Sequence, residues 1–242
     1  MKTIEVVSLI YKSVNYANFI ADQLARYAVD FEDWKVSFRL MADTPPEALE
    51  HHLKKMGVNH TIFRNPNPNE YHINRMYKAY NEAGLTSTAE YVCFVNSDMG
   101  FSPNWLKNLV KHQAPDRVLT SRLVESGKMP SGLPGISMYF GHTPQSYNER
   151  AFLDFAERVS DDSVSPNGLY MPLLISRELF GLSNGYPPGN VYADGVGTCN
   201  GYVIKPGDVY YFEDNLKANF GVSHFTVFDS IVYHFQEGEL DE

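Results

Sequence analysis

Hydrophobic positions along the first 110 residues follow two alternating patterns. Short apolar runs at 5–11, 35–41, 58–63 and 91–95 have the length and composition of strands. Apolar residues between and after these runs recur three and four positions apart, as on amphipathic helices, with the third of these helices predicted over 71–83. A strand and a helix therefore alternate four times, which predicts an α/β fold with a mostly parallel sheet and helices on both faces.

Turn residues set the expected bounds of these elements. Thr44 and Glu47 flank Pro45 in the pattern of a capping box, so a helix is expected to begin after Thr44. Gly57 follows the last apolar position of that helix and is expected to end it. Ser102 is the expected cap of the next helix, which carries Trp105.

The chain beyond residue 110 has a different pattern. Gly and Pro are frequent between 127 and 207, and helical periodicity is weak there except at 148–159. A helix near 208–219, ended by Gly221, and a strand at 230–233 follow. Long loops on an α/β scaffold usually shape a binding site. We expect one domain over 1–242, with halves 1–110 and 111–242.

Composition and charge exclude several classes of protein. Hydrophobic residues make up 43% and charged residues 20%, which is typical of a globular chain. The net charge of −9 disfavours nonspecific binding to a nucleic-acid backbone. No apolar run approaches the roughly 20 residues of a membrane helix, no signal peptide is evident, and two cysteines show no metal-binding spacing. These features predict a cytoplasmic protein of viral or bacterial origin, with a solvated acidic end at Glu237, Glu239, Asp241 and Glu242.

Asp98 is the sharpest candidate for chemistry because it directly follows the buried strand at 91–95. Open α/β sheets bind ligands at such carboxyl ends, and a hard divalent cation prefers carboxylate oxygens. Asn96 is expected on the same side, where its amide can bond to a ribose or to a metal-bound water. A turn or cap role for Asp98 is the alternative.

A histidine is the second candidate ligand. His234 follows the strand at 230–233, and His224 is its rival ten positions earlier. An imidazole, a carboxylate and phosphate oxygens together suit manganese. A structural histidine is the alternative in each case.

Two further carboxylates stand at element ends. Asp208 opens the helix near 208–219, where it is either a helix cap or a general base that takes a proton from a hydroxyl. Its rivals for the base are Asp194, Glu213 and Asp214. Asp43 ends the second strand, where a carboxylate can accept a hydrogen bond from a nucleotide base, and Ser8 and Tyr11 end the first strand beside it.

The order and spacing of these residues resemble the GT-A glycosyltransferases, specifically the family 2 type. The best stretch is a helix ending in Asn81-Glu82-Ala83-Gly84, the strand at 90–95, and then Asn96-Ser97-Asp98, in which Asp98 follows Asn81 by 17 positions. Phe101 to Leu106 resembles the Pro-x-Trp-Leu helix start of the family, and Gly207-Asp208 resembles its Glu-Asp motif. Two departures are Asn96 in place of the first Asp of Asp-x-Asp and Gly207 in place of Glu.

The resemblance implies a function with assigned residues. It implies an inverting glycosyltransferase that moves a sugar from a nucleotide-diphosphate sugar, UDP-linked, to an acceptor hydroxyl. Mn²⁺ or Mg²⁺ would be held by Asp98 and His234, and Asp208 would be the base. The donor would contact a further set of residues: Ser8, Tyr11, Asp43, Asn81, Asn96, Ser97 and Asp98.

Two other functions stay open at this stage. One is a non-catalytic module that binds a nucleotide-sugar or a glycan on the same scaffold, which the two departures favour. The other is a nucleotidyltransferase, although no Gly-rich triphosphate loop is evident. The acceptor could be a glycan, a protein, a small molecule or, less in keeping with the acidic charge, a modified DNA base.

Overall fold

The computed structural model describes residues 1–67, 69–187, 190–191, 197–199, 202–204, 207–236 and 238–241. Its strands are β1 (Lys2–Ile10), β2 (Trp34–Asp43), β3 (His60–Phe63), β4 (Tyr91–Asn96), β5 (Met99–Phe101), β6 (Arg117–Glu125), β7 (Ile136–Ser137), β8 (Val164–Pro166), β9 (Leu173–Ser176), β10 (Asn190–Val191), β11 (Gly197–Cys199), β12 (Tyr202–Ile204) and β13 (Ser223–His234). Its helices are α1 (Val14–Tyr27), α2 (Glu47–Met56), α3 (His72–Thr86), α4 (Trp105–Lys111), α5 (Glu149–Val159), α6 (Arg177–Leu182), α7 (Gly207–Val209), a π-helical stretch (Tyr210–Lys217), α8 (Ala218–Phe220) and a C-terminal 3-10 turn (Gly238–Asp241).

The main sheet has the strand order β3-β2-β1-β4-β9-β6-β13-β5, with β7 beside β6 and β8 beside β13. Strands β3, β2, β1 and β4 are parallel, as are β6 and β13. Strand β9 joins the two groups through antiparallel pairing with β4 and β6. The predicted α/β class and the four strand–helix units of the first half are thus confirmed.

The apolar residues of the strands form one core with the helices that cover them. Helix α1 buries Ile20 and Leu24 on one face, and α3 buries Tyr77, Tyr80 and Ala83. A second, aromatic cluster lies under α5 and includes Phe152, Tyr233 and Phe235. Burial of these side chains on both faces of the sheet holds its strand ends in fixed positions.

Parallel pairing brings several strand ends to one edge of the sheet. Leu9 pairs with Asn96, so the carboxyl ends of β1 and β4 lie side by side, and Ile10 pairs with Ala42 next to Asp43. His234 at the end of β13 pairs with Met99, one residue after Asp98. The polar residues that follow these strands therefore meet at this edge.

Three local predictions differ from the structure. The expected capping box at Thr44 does not form, because Thr44 has a φ of +45° and its hydroxyl donates to Asp43 and accepts from the Asn65 N–H. Pro46 is the N-cap of α2 and makes no side-chain cap. Likewise Asn104, not Ser102, precedes α4.

The late part of the chain is more regular than its pattern predicts. Strand β13 starts at Ser223, seven residues before the predicted start, and its pairing shifts register between Val227 and Ile231. This irregularity interrupts the alternation of apolar positions that identifies a strand. Gly57 and Gly221 end their helices, as predicted, and the structure shows both glycines in left-handed conformations. None of the helices within the described residues is both apolar and long enough for a membrane span.

Candidate functional site

A cavity of about 520 Å³ opens at the carboxyl ends of β1, β2, β4 and β13. Six residues singled out in the sequence line it: Tyr11, Asp43, Asn96, Ser97, Asp98 and His234. The first turns of α3 complete the wall with Tyr71, His72 and Arg75. The structure therefore brings most of the predicted site residues to one cavity of a size typical for small ligands.

Arg75 links the two residues predicted to contact a nucleotide base. Its guanidinium lies 2.8 Å from a carboxylate oxygen of Asp43, donates to the Tyr11 hydroxyl at 3.0 Å and stands 4.4 Å from the centre of the Tyr11 ring. Burial raises the pKa of Asp43 despite this ion pair. Sequence reasoning missed Arg75, because an arginine one turn into a helix carries no distinctive signal.

His234 lies between two carboxylates. Its Nε2 is 3.3 Å from Oδ2 of Asp98, and its Nδ1 is 3.2 Å from Oε1 of Glu125. Burial lowers the pKa of His234, but the two carboxylates outweigh it and raise this pKa to about 10. Glu125, which sequence reasoning also missed, orients the ring so that Nε2 faces Asp98.

The pair of Asp98 and His234 fits a divalent cation. A carboxylate oxygen and an imidazole nitrogen face each other on the wall of the cavity, and both atom types are ligands of Mn²⁺. Between two carboxylates the imidazolium already occupies a position that favours positive charge. A metal ion bound there would replace that proton.

The rival histidine lies elsewhere. His224 is buried against Phe212 and Tyr170, and its Nε2 contacts the Thr120 hydroxyl at 3.0 Å. Burial lowers the pKa of His224 to about 4, so the ring is neutral. This is the environment of a structural histidine in a core.

Asp208 is the second residue of α7 and lies beside α3 rather than on the cavity wall. Its Oδ1 is buried without a hydrogen-bond partner, its carboxylate bonds with the Tyr77 hydroxyl, and burial raises its pKa to about 6. Both Asp208 and Asp98 act electrostatically on the buried hydroxyl of Tyr80. A carboxylate with a raised pKa and a free oxygen has the properties of a general base.

Two of the three rival carboxylates are described by the structure and are less buried than Asp208. Glu213 is exposed beside the small cavity of His224, and Asp214 is half-buried on the π-helical stretch. Asp194 lies outside the described residues.

The packing around Gly207 explains why this position lacks the glutamate of the Glu-Asp motif that the sequence resembles. A Cβ atom at this position would lie 2.1 Å from the ring of Tyr77, which stacks on Tyr186 at 4.7 Å. A glutamate at 207 is therefore incompatible with this packing of α3 against α7.

Three other predicted donor contacts have partners within the protein. Ser8 is fully buried in β1. Asn81 forms two hydrogen bonds with the backbone of Tyr186, at 3.0 and 2.8 Å. Neither residue lines the cavity. Asn96 does line it, but its Oδ1 accepts from the Tyr80 hydroxyl at 2.9 Å.

The prediction of a solvated acidic end is wrong for Glu239. This residue is only 6% exposed and lines the cavity, because its carboxylate accepts from the backbone N–H groups of Tyr11, Lys12 and Ser13. Backbone donors on a distant turn leave no trace in a sequence pattern, so the fold alone reveals this contact.

A second group of possible metal ligands lies away from the cavity. His112, Asp162 and Asp229 converge between the end of α4 and β13. The Lys111 ammonium lies 2.5 Å from both carboxylates, so a cation of the chain already pairs with each of them. This cluster is best explained as an ion-pair network.

Comparisons with solved structures identify the fold. The chain is similar to a crystal structure of GalNAc-T7 with UDP, GalNAc and Mn²⁺ (TM-score 0.59, 13% identity, 96% of this chain and 44% of that one). It is also similar to a crystal structure of S. aureus TarS 1-349 (TM-score 0.55, 14% identity, 97% of this chain and 60% of that one). The chain spans about half the length of these proteins. No family model and no curated protein matches it. The fold is that of the GT-A glycosyltransferases.

Proposed function

We propose that this protein is a metal-dependent, inverting glycosyltransferase that uses a UDP-sugar as donor and a hydroxyl group as acceptor. One observation carries the proposal. A pair suited to a nucleotide base, Asp43 with Arg75, and a pair suited to a divalent cation, Asp98 with His234, line the same cavity of a GT-A fold. A nucleoside diphosphate presents a base and a diphosphate in one molecule and can engage both pairs.

The base-binding pair favours uracil. Uracil offers one ring N–H flanked by two carbonyl oxygens, so Asp43 can accept from the N–H while Arg75 donates to a carbonyl. The Tyr11 side chain is 37% exposed and carries the Arg75 guanidinium on its ring, so the remaining ring surface can stack on a flat base.

Asp98 and His234 would hold Mn²⁺ or Mg²⁺, which when bound neutralises charge on the leaving diphosphate. Glu125 keeps the His234 ring oriented toward Asp98 through its hydrogen bond to Nδ1. Asn96 and Ser97 stand beside Asp98 on the cavity wall. The Asn96 amide can donate to a ribose or phosphate oxygen, and the Ser97 oxygen, whose proton goes to Glu239, can accept from a ribose hydroxyl.

Asp208 would act as the base of the transfer step. The acceptor oxygen attacks the anomeric carbon as the bond from that carbon to the diphosphate oxygen breaks, and the acceptor proton passes to Asp208. The raised pKa of this carboxylate, about 6, matches proton uptake near neutral pH. Attack from the face opposite the leaving group inverts the configuration. A glycan, a protein or a small molecule is the acceptor most in keeping with the net charge of −9, and a modified DNA base the least.

A non-catalytic nucleotide-sugar or glycan-binding module is the second candidate. The observation in its favour is that Asn96 replaces one carboxylate beside the proposed metal and that its oxygen is engaged by Tyr80. Fold alone does not separate a binding module from an enzyme.

Release of UDP from UDP-sugars tests the proposal. Purified protein is incubated with a panel of UDP-sugars, with and without Mn²⁺, and free UDP is measured. We expect slow Mn²⁺-dependent hydrolysis of at least one donor, and loss of it in Asp98→Ala. UDP binding without release from any donor, also in the presence of acceptor mixtures, would favour the binding module.

A further inference from the structure

The C-terminal 3-10 turn lies against the proposed donor site and is held there by Glu239. One carboxylate oxygen accepts from the N–H groups of Lys12 at 2.6 Å and Ser13 at 2.7 Å. The other accepts from Tyr11 N–H at 3.1 Å and from the Ser97 hydroxyl at 2.9 Å. One buried side chain thus joins the turn after β1 to the loop after β4.

The path of the chain from β13 to this turn is fixed at several points. The Phe235 N–H donates to the backbone oxygen of Asp98 at 3.0 Å. Gln236 follows with its side-chain oxygen accepting from Gly127 and Met129 N–H groups. Gly238 has a φ of +49°, and a Cβ there would lie 3.1 Å from Oδ2 of Asp98.

We propose that Glu239 is a positioning residue of the donor site, through which the C-terminal turn sets the arrangement of Tyr11 and Ser97. The inference rests on the proposed function. Tyr11 carries the base-binding surface, and Ser97 immediately precedes Asp98. The Tyr11 side chain is held by Arg75 of α3, whereas the Glu239 carboxylate holds the Tyr11 backbone and joins it to the Ser97 hydroxyl.

The cavity stays open in the presence of Glu239, which indicates that this residue positions the donor site and does not block it. With Glu239 seated, the cavity still measures about 520 Å³ and is lined by Tyr11, Asp43, Asp98 and His234. The side chain forms part of the wall and leaves the proposed base-binding and cation-binding groups accessible. Loss of the carboxylate would leave N–H groups of a tight turn without their acceptor, and the turn would shift.

UDP binding in the presence of Mn²⁺, measured by calorimetry, tests the inference. Because hydrogen bonds to charged groups are strong, Glu239→Ala is expected to weaken UDP affinity by about tenfold or more. Glu239→Gln, which keeps one side-chain oxygen as acceptor, is expected to fall between wild type and Glu239→Ala. In the UDP-release assay the donor KM should rise while kcat changes little. Glu90→Gln is the matched control, since Glu90 accepts from the Thr3 N–H at the opposite end of β1.

Hydrogen exchange gives a readout that needs neither a variant nor UDP. The amides of Lys12 and Ser13 should be protected in the wild-type protein. Exchange there as fast as in exposed loops, or UDP affinity in a folded Glu239→Ala equal to or above that of wild type, would overturn the inference alone. Absence of UDP binding by wild type, with these amides protected, would overturn the proposed function and the inference with it.

Discussion

A single substitution at Asp98 can test the proposed cation-binding pair. Its carboxylate faces His234 at 3.3 Å on the cavity wall. Asp98→Ala removes the only carboxylate of the proposed cation pair, so we expect Mn²⁺-dependent UDP binding to be lost while the fold is kept. Calorimetry of UDP with Mn²⁺ measures this.

Asp162→Ala serves as the control for that prediction. Asp162 is exposed and belongs to the ion-pair cluster of Lys111, His112 and Asp229. Its substitution should leave Mn²⁺ and UDP binding unchanged. The opposite ranking of the two variants would place the cation in the ion-pair cluster.

Substitutions of the two histidines are expected to have different effects on Mn²⁺-dependent binding. His234→Gln should weaken Mn²⁺-dependent UDP binding, since its ring faces the cavity, and should also lower stability, because Asp98 and Glu125 lose the imidazolium between them. His224→Gln should lower the melting temperature and leave Mn²⁺ dependence intact, because His224 is packed in the core. A larger loss of Mn²⁺ dependence in His224→Gln would contradict the choice of ligand.

Asp208→Asn should lower turnover by about 10²–10⁴ with near-normal UDP binding, as expected for loss of a general base. In contrast to its turnover, the stability of Asp208→Asn should exceed that of wild type at neutral and higher pH. Burial raises the pKa of Asp208 from 3.8 to about 6, so the folded state disfavours the ionised carboxylate and wild-type stability falls as the pH rises through this range.

The pH dependence of unfolding therefore separates the variant from wild type. At pH 8 Asp208→Asn should be more stable by about 1–3 kcal/mol. Near pH 3 both proteins carry a neutral group at this position, so the difference should vanish. Denaturant titrations at the two pH values measure it. Equal stability at pH 8, together with full turnover, would leave Asp208 as an ordinary helix-start residue.

At the scale of elements, the contact of α3 with α7 depends on Gly207, which has no side chain. A Cβ at Gly207 would lie 2.1 Å from the Tyr77 ring. Gly207→Ala should therefore destabilise the protein by about 1–3 kcal/mol, as overpacking does, and lower turnover by displacing Asp208. Denaturant unfolding and the UDP-release assay test both effects.

Gly181 provides the matched control. It lies in α6, and apart from its chain neighbours and its own helix backbone no atom comes within 4 Å of a Cβ built there. Gly181→Ala should be neutral or stabilising by about 0.5–1 kcal/mol, because alanine loses less backbone entropy in a helix. A similar loss of stability in both variants would show that crowding at Tyr77 is not the cause.

At the scale of the whole molecule, binding of the proposed donor should be visible in thermal unfolding. The cavity is formed by ends of strands from both halves of the chain, so a ligand that binds there stabilises the folded domain as a unit. UDP with Mn²⁺ at 100 times its Kd adds about 2.7 kcal/mol, which should raise Tm by about 5 °C or more. ADP should raise it less, because Asp43 and Arg75 match uracil. Equal shifts by the two nucleotides would contradict base recognition by this pair.

Local patterns along the chain are sufficient to predict much of the architecture. Apolar periodicity alone predicts the four strand–helix units of the first half, because each element buries one continuous face or stripe. It also places Asp98 directly after a buried strand, and the carboxyl ends of parallel strands meet at one edge. These features depend on neighbours in sequence. The prediction of a capping box at Thr44 is wrong because the Thr44 hydroxyl bonds instead with Asp43 and with Asn65 from the loop after β3.

Contacts between distant residues depend on the folded chain alone. Arg75 reaches Asp43 because α3 lies across the ends of β1 and β2, and Glu239 reaches Ser13 over 226 positions of sequence. The choice between His234 and His224 follows from which ring faces Asp98 and which packs against Phe212. Side-chain chemistry and periodicity are properties of the chain itself, whereas burial and proximity across the sheet exist only after packing. Residues such as Asp98 and His234 were therefore visible in the sequence as candidates, whereas the tertiary structure decided which candidates meet and added Arg75, Glu125 and Glu239.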